Sequence, residues 1–232
     1  MDFGHSVLDV SPVSSGSDGA RALRNTLELV RLADRLGYER YWLAEHHNLP
    51  SVASSAPEIM IGHVAGVTKS IRVDAGGIML PNHALLKVAE TFRVLAALHP
   101  GRIDLGIGRA PGTDPVTATA LRRSSDVLDA ENFPQSFGEL LAFSSEGFPE
   151  DHPFQSVVAM PADVELPPIW LLDSSGYSAR AAGQMGFGYG FASHFSPADR
   201  PPPCAPTARA SSLRRHRAPF GLLARVRTST RG

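Results

Sequence analysis

Apolar positions along this chain fall into two alternating rhythms. Residues 5–12, HSVLDVSP, alternate apolar and polar side chains up to Pro12, as a half-buried strand does on entering a loop. After a Ser- and Gly-rich loop over 13–19, a helical period sets in at Ala20. Leu23, Leu27 and Val30 form one stripe, Leu29, Leu32 and Leu36 lie beside it, and Gly37 stops the helix. ERYWLA (39–44) is again strand-like. Pro57 opens a helix whose Ile61, Val64 and Val67 share a face, and IRVDAGGIML (71–80) is a strand interrupted by two glycines. LLKVAETFRVLAALH (85–99) is an amphipathic helix, and GRIDLGIGR (101–109) is the next strand. Residues 110–130 read as a long loop, Phe133 to Phe143 as a helix, and 144–167 as a surface excursion rich in Pro and acids. PPIWLLDSS (167–175) is a buried strand, GYSARAAGQMG (176–186) a helix and FGYGFASHF (187–195) a further strand.

Strand and helix alternate five times and a sixth strand follows, which calls for a parallel sheet. Three strands run into polar or glycine-rich loops, AEHHN, GIGRAPG and LLDSSGY, so the chemistry belongs at the carboxyl ends. The fold class is therefore α/β, of the (β/α)8 TIM-barrel type, incomplete because about six strands are recognisable. A doubly wound open sheet follows a similar rule, but no GxGxxG comes after the first strand.

With 43% apolar residues the chain can bury a substantial core, and no apolar run approaches the roughly 18–20 residues of a membrane span. The first basic residue is Arg21, so the start lacks the basic flank of a signal peptide. Cys204 stands alone, which excludes an intrachain disulfide and a thiolate metal cluster. A soluble cytoplasmic protein is the expectation. Charge then divides the chain: residues 1–199 hold 14 Lys and Arg against 23 Asp and Glu, whereas residues 200–232 hold eight Arg and no acid. Residues 1–197 read as a partial barrel domain. Residues 198–232 read as an Arg/Pro-rich tail outside the selected fold, disordered or the product of a shifted reading frame, with a basic nucleic-acid arm as the other reading.

Four features carry candidate chemistry. Neighbouring side chains on a strand point to opposite faces, so His46 and His47 share a pocket only where the strand has ended. Three readings of Glu45-His46-His47 stay open: a two-His-one-carboxylate metal site, one histidine facing a ligand, and a histidine bonded beneath a loop. Gly76 and Gly77 interrupt a good strand, which marks a bulge or the close approach of something flat or bulky. Arg109 closes the GIGR strand and offers its fork to a phosphate or to a loop acid. Ser174, Ser175, Gly176, Tyr177 and Ser178 join a strand to a helix start, where hydroxyls and N–H groups cradle an anion or cap the helix. Together these suit a phosphorylated planar cofactor.

YWLAEHHN, DAGGIMLPNH, HPGRIDLGIGRAPG and LLDSSGYSARAAGQMG, in this order, resemble the luciferase-like flavin monooxygenases, the family that includes bacterial luciferase, over residues 5–197. The resemblance implies a (β/α)8 barrel that takes reduced FMN from a separate flavin reductase and uses O2 to oxidise a small organic substrate. On it, His46 is the catalytic pocket histidine near the reacting flavin edge. Gly76 and Gly77 are the pair whose peptide, often cis, supports the ring. Arg109 binds the phosphate, and Ser175, Gly176, Tyr177 and Ser178, with Ser174 in the same turn, form the second phosphate loop. A homodimer is expected from such relatives; a membrane or nucleic-acid partner is not. Residues 110–130 and 144–167 are the expected contributors to the pocket walls. The alternatives are a deazaflavin-dependent hydride transferase of the same fold, a flavin-binding protein without turnover, and a metal-dependent barrel hydrolase. Beyond Phe195 the last two strands and helices are not recognisable, which implies impaired activity.

Overall fold

The computed structural model describes residues 5–122, 132–174 and 176–192, with the backbone alone at 145, 146, 176 and 177. The tail expectation for 198–232 and the candidate Ser175 lie outside the described residues. Seven parallel strands make one sheet: β1 (Ser6–Asp9), β2 (Arg40–Leu43), β3 (Arg72–Ala75), β4 (Ile78–Met79), β5 (Ile103–Gly108), β6 (Ile169–Asp173) and β7 (Gly188–Phe191). Their order, β1-β2-β3-β5-β6-β7 with β4 beside β5, follows the chain, as in the arc of a (β/α) barrel. The helices are α1 (Gly19–Arg35), α2 (Pro57–Val67), α3 (Leu85–Leu98), α4 (Pro115–Arg122), α5 (Phe133–Leu141) and α6 (Gly176–Met185). No described helix is long and apolar enough to cross a membrane.

The period of two sorts each strand between two environments. Tyr41, Leu43, Val73, Ala75, Ile103, Leu105, Ile107, Ile169 and Leu171 point outward into a buried core with Val30, Ile61, Val64, Val88 and Phe92 of the helices. On α1 the residues that face the sheet are Ala22, Thr26, Val30 and Ala33, whereas Leu32 and Leu36 are exposed. This departs in part from the stripes expected there: Val30 is buried and Leu27 and Leu29 pack against the core, but Leu32 and Leu36 do not, and small side chains let the helix lie close to the strands. Asp18 caps α1 by accepting from the Arg21 N–H at 2.7 Å. Asp9 binds the hydroxyls of Thr26 and Tyr41, each at 2.6 Å, and so ties β1, β2 and α1 together.

The other set of positions lines the inside of the arc. Trp42 meets Trp170 edge-on, with centroids 5.6 Å apart, and the Arg40 guanidinium lies 4.8 Å from the Trp170 ring. Glycines make room for these rings; a Cβ on Gly188 would stand 2.6 Å from a Trp170 ring carbon. Asp74 and Asp104 are in register on β3 and β5, both buried, with Arg72 and Arg40 bonded to Asp104. Burial first, and then the charge of Asp104, push Asp74 well above the ordinary carboxyl range.

Two stretches differ from expectation. Residues 115–122, read as loop, form α4, because Asp114 accepts from the N–H groups of Val116 and Thr117 at 3.0 Å ahead of Pro115. The helix was hard to see because Ala118 is its buried residue and no apolar stripe exists. The excursion over 144–167 is held to the third turn of α3, where buried Arg93 donates to the carbonyls of Ser144 and Ala159.

Candidate functional site

β2 ends at Leu43, so Glu45, His46 and His47 stand beyond the strand, and strict alternation no longer governs them. Glu45 turns inward and is fully buried. It accepts from His47 Nε2 at 2.8 Å, His83 Nε2 at 2.9 Å, the Met79 N–H at 2.8 Å and Asn82 Nδ2 at 3.2 Å. His46 takes another direction: its Nδ1 lies 3.3 Å from the Gly112 carbonyl. A carbonyl only accepts, so this contact places a proton on Nδ1 and leaves Nε2 of the neutral ring as an acceptor. Among the described residues no group of three or more His, Cys, Asp or Glu side chains is disposed to hold a metal ion.

The strand over 71–80 breaks at its glycine pair. β3 stops at Ala75, the Gly76–Gly77 peptide is cis, and β4 resumes at Ile78 beside β5. A Cβ on Gly76 would come within 2.8 Å of both Leu8 Cδ1 and Trp42 Cβ, and one on Gly77 within 3.0 Å of the Gly106 carbonyl oxygen and the Gly108 nitrogen. The expected close approach is therefore present, and the bulky partners are this chain's own side chains and backbone. Farther along β5, a Cβ on Gly108 would stand 2.7 Å from Met79 Sδ.

At the ends of β5 and β6, Arg109 and Asp173 come together, with Arg109 Nη2 4.0 Å from Asp173 Oδ2. Asp173 also accepts from the Ser174 N–H at 2.7 Å and from the Ser178 hydroxyl at 2.9 Å. Ser178 is buried, and its proton is committed to Asp173. Gly176 and Tyr177 supply backbone to the first turn of α6, whose N–H groups face the rim with the positive end of the helix dipole. Arg109 and the start of α6 thus share one side of the molecule, with Asp173 orienting both.

Loop contacts close the rim. Asn82 donates to the Pro111 carbonyl at 2.8 Å, Thr113 to the His47 carbonyl at 3.0 Å and Asn48 to Asp114 at 3.1 Å. The sequence reading missed three members of this site, Asn82, His83 and Asp173. The signals were present, since PNH follows the glycine strand and LLD ends the next, but they lack a local spacing rule.

Burial alone would raise the Glu45 carboxyl. The bond and charge of His83, the bond from His47 and the Met79 N–H reverse this and hold it below its ordinary 4.5. Burial alone would lower His83, and the bond and charge of Glu45, aided by Glu58 and opposed by Arg122, raise it above its ordinary 6.5. A depressed acid contributes stability above its unfolded pKa and loses it as pH falls through the folded one. A raised imidazole contributes below its unfolded pKa and loses it as pH rises through the folded one. The pair is expected to stabilise the fold most between pH 4.5 and 6.5. Accordingly, His83→Gln should lower the urea midpoint most in that window, and the deficit should shrink as pH rises above 6.5 through the raised folded value. A deficit that stays constant over this range would contradict the pairing.

Residues 1–223 match the family described as luciferase-like monooxygenase. The chain belongs to that family. It is 53% identical over 197 residues to the uncharacterized protein YvbT of Bacillus subtilis, covering 85% of this chain and 57% of that one. It is 47% identical over 192 residues to a luciferase-like monooxygenase of Escherichia coli, covering 83% and 56%. The crystal structure of apo-MsnO8 superposes with a TM-score of 0.77 at 40% identity, over 84% of this chain and 57% of that one. Two more distant structures share the fold. One is the oxygenating constituent of 3,6-diketocamphane monooxygenase from Pseudomonas putida in complex with FMN, at 20% identity and TM-score 0.65, covering 82% of this chain and 57% of that one. The other is an F420-dependent secondary alcohol dehydrogenase, at 16% identity and TM-score 0.60, covering 82% and 58%. The chain spans little more than half the length of the curated relatives it matches.

Proposed function

We propose that this luciferase-like chain carries the cofactor site of an FMN-dependent monooxygenase, which receives reduced FMN from a separate reductase and oxidises a small organic substrate with O2. The observation that carries this reading is the rim itself: an arginine at the end of β5, joined through Asp173 to a helix start, on the strand next to a glycine peptide that carries no side chain of its own. That arrangement fits a phosphate at one end and a flat ring at the other. Arg109 and the first N–H groups of α6 would hold the phosphate, with Ser174 beside them, while Asp173 fixes the arginine and the Ser178 hydroxyl from behind. Gly76 and Gly77 would lie under the ring. When bound, reduced flavin supplies the two electrons that activate O2. His46, with its Nδ1 proton turned to Gly112, would present Nε2 to accept a proton at that edge.

Titration of the purified chain with FMN, reduced FMN and reduced F420, followed by flavin fluorescence and calorimetry, tests this. FMN or its reduced form is expected to bind; preferential binding of F420 would move the chain to hydride-transfer chemistry. Air oxidation of the bound reduced FMN is then expected to proceed at a different rate, with a different pH profile, in His46→Ala. Identical rates and profiles would remove His46 from the chemistry.

A further inference from the structure

β3 is bonded to β2 up to its last residue, and the Gly76 N–H still donates to the Leu43 carbonyl at 2.7 Å. Past this point the two sides of the chain become unequal. β4 pairs with β5 through Ile78 and Met79, but β2 has ended and offers Met79 no backbone acceptor. A strand N–H left without an acceptor in a buried setting costs about 1–3 kcal/mol. Here the Met79 N–H is taken by Glu45 Oε2 at 2.8 Å. Asn82 and His83, from the 3₁₀ turn that follows, reach the same carboxylate.

We propose that Glu45 is a positioning residue whose carboxylate replaces the missing neighbour of Met79, and so fixes the Gly76–Gly77 peptide relative to the loop that carries His46. This deepens the FMN reading above and rests on it for its consequence, since that peptide and that loop would hold the ring and its reacting edge. These contacts set the relation. Glu45 grips the 79–83 segment, and His47 returns its own loop to the same carboxylate. Asn82 goes on to the Pro111 carbonyl, and His46 lies against the neighbouring Gly112. A fully buried carboxylate is tolerable only when its lone pairs are filled, and here donors from two loops fill them. Glutamine has the same shape but presents an NH2 group to those donors, so it cannot satisfy them all.

Hydrogen exchange at the Met79 amide, histidine NMR and FMN titration, compared between wild type and Glu45→Gln, test the assignment. The Met79 amide is expected to exchange about tenfold faster in the variant, because its acceptor is weakened. The His83 ring should titrate at lower pH in the variant, because the carboxylate charge beside it is gone, and the FMN Kd should rise about tenfold. Wild-type exchange at Met79, or wild-type FMN affinity in a variant whose His83 titration has shifted, would overturn the proposal. If wild-type protein binds no FMN in either redox state, the FMN reading fails, and the exchange and histidine measurements on the free protein still decide whether Glu45 is the clamp. Should Glu45→Gln not fold, Asn82→Ala and His83→Ala each remove one donor. Either is expected to speed Met79 exchange about threefold, and no change in both would overturn the proposal.

Discussion

Replacing Gly106 by alanine is expected to leave little folded protein. Gly106 sits in the middle of β5, on the inner face of the arc, with the β3–β4 break on one side and β6 on the other. An added Cβ would overlap the Ala75 carbonyl oxygen and stand 3.0 Å from both Leu172 Cδ1 and Trp42 Cζ3. The oxygen belongs to the backbone of an adjacent strand, so relief requires the strands to part. Overpacking typically costs about 1–3 kcal/mol and more where backbone must move, a large share of the roughly 5–15 kcal/mol that holds a domain together. Soluble yield and the urea midpoint measure it. Gly183→Ala is the control: that glycine lies within α6, nothing approaches its Cβ position within 4 Å, and alanine there should stabilise by about 0.5–1 kcal/mol. Equal midpoints for Gly106→Ala and wild type would show that the inner face is looser than described.

Arg109→Ala should weaken FMN by about 10–100-fold, the range of one or two lost charge-assisted hydrogen bonds to phosphate. Riboflavin has the same ring without the phosphate, and its affinity should move by no more than about threefold. Arg109→Lys keeps the charge but not the planar fork, so a loss of about tenfold is expected. Asp173, 4.0 Å from Arg109, makes this more than a test of net charge. Its carboxylate orients the guanidinium and also receives Ser178, which joins the arginine to the first turn of α6. If FMN and riboflavin lose affinity equally, Arg109 acts on the ring or on the fold and the phosphate lies elsewhere.

Much of this architecture was readable from local patterns. ERYWLA and IRVDA announce strands, and LLKVAETFRVLAALH announces a helix, because burying one face imposes a period of two or of 3.6 wherever it occurs. Other elements escaped for physical reasons. α4 has Val116 largely exposed and Ala118 buried, so its cap is its signal. On α1, Ala22, Thr26, Val30 and Ala33 face the sheet while Leu32 and Leu36 are exposed, because the distance between helix and sheet, which no local pattern encodes, decides which side chains fit. Within AEHHN, the end of β2 at Leu43 releases the motif from strand geometry, and that end is set by pairing with β3.

By itself, the sequence determined that strands and helices alternate, that the strands run parallel, and that polar loops collect at their carboxyl ends, since each follows from periodicity and chain direction. Only the tertiary structure decided which groups meet there. Glu45 finds His83 and Arg109 finds Asp173 because strand register carries them to the same level of the rim. The room that Gly76 and Gly106 leave is likewise set by Trp42 on a neighbouring strand. Register and inter-strand spacing are properties of the whole sheet, satisfied across long stretches of chain, and no window of residues contains them.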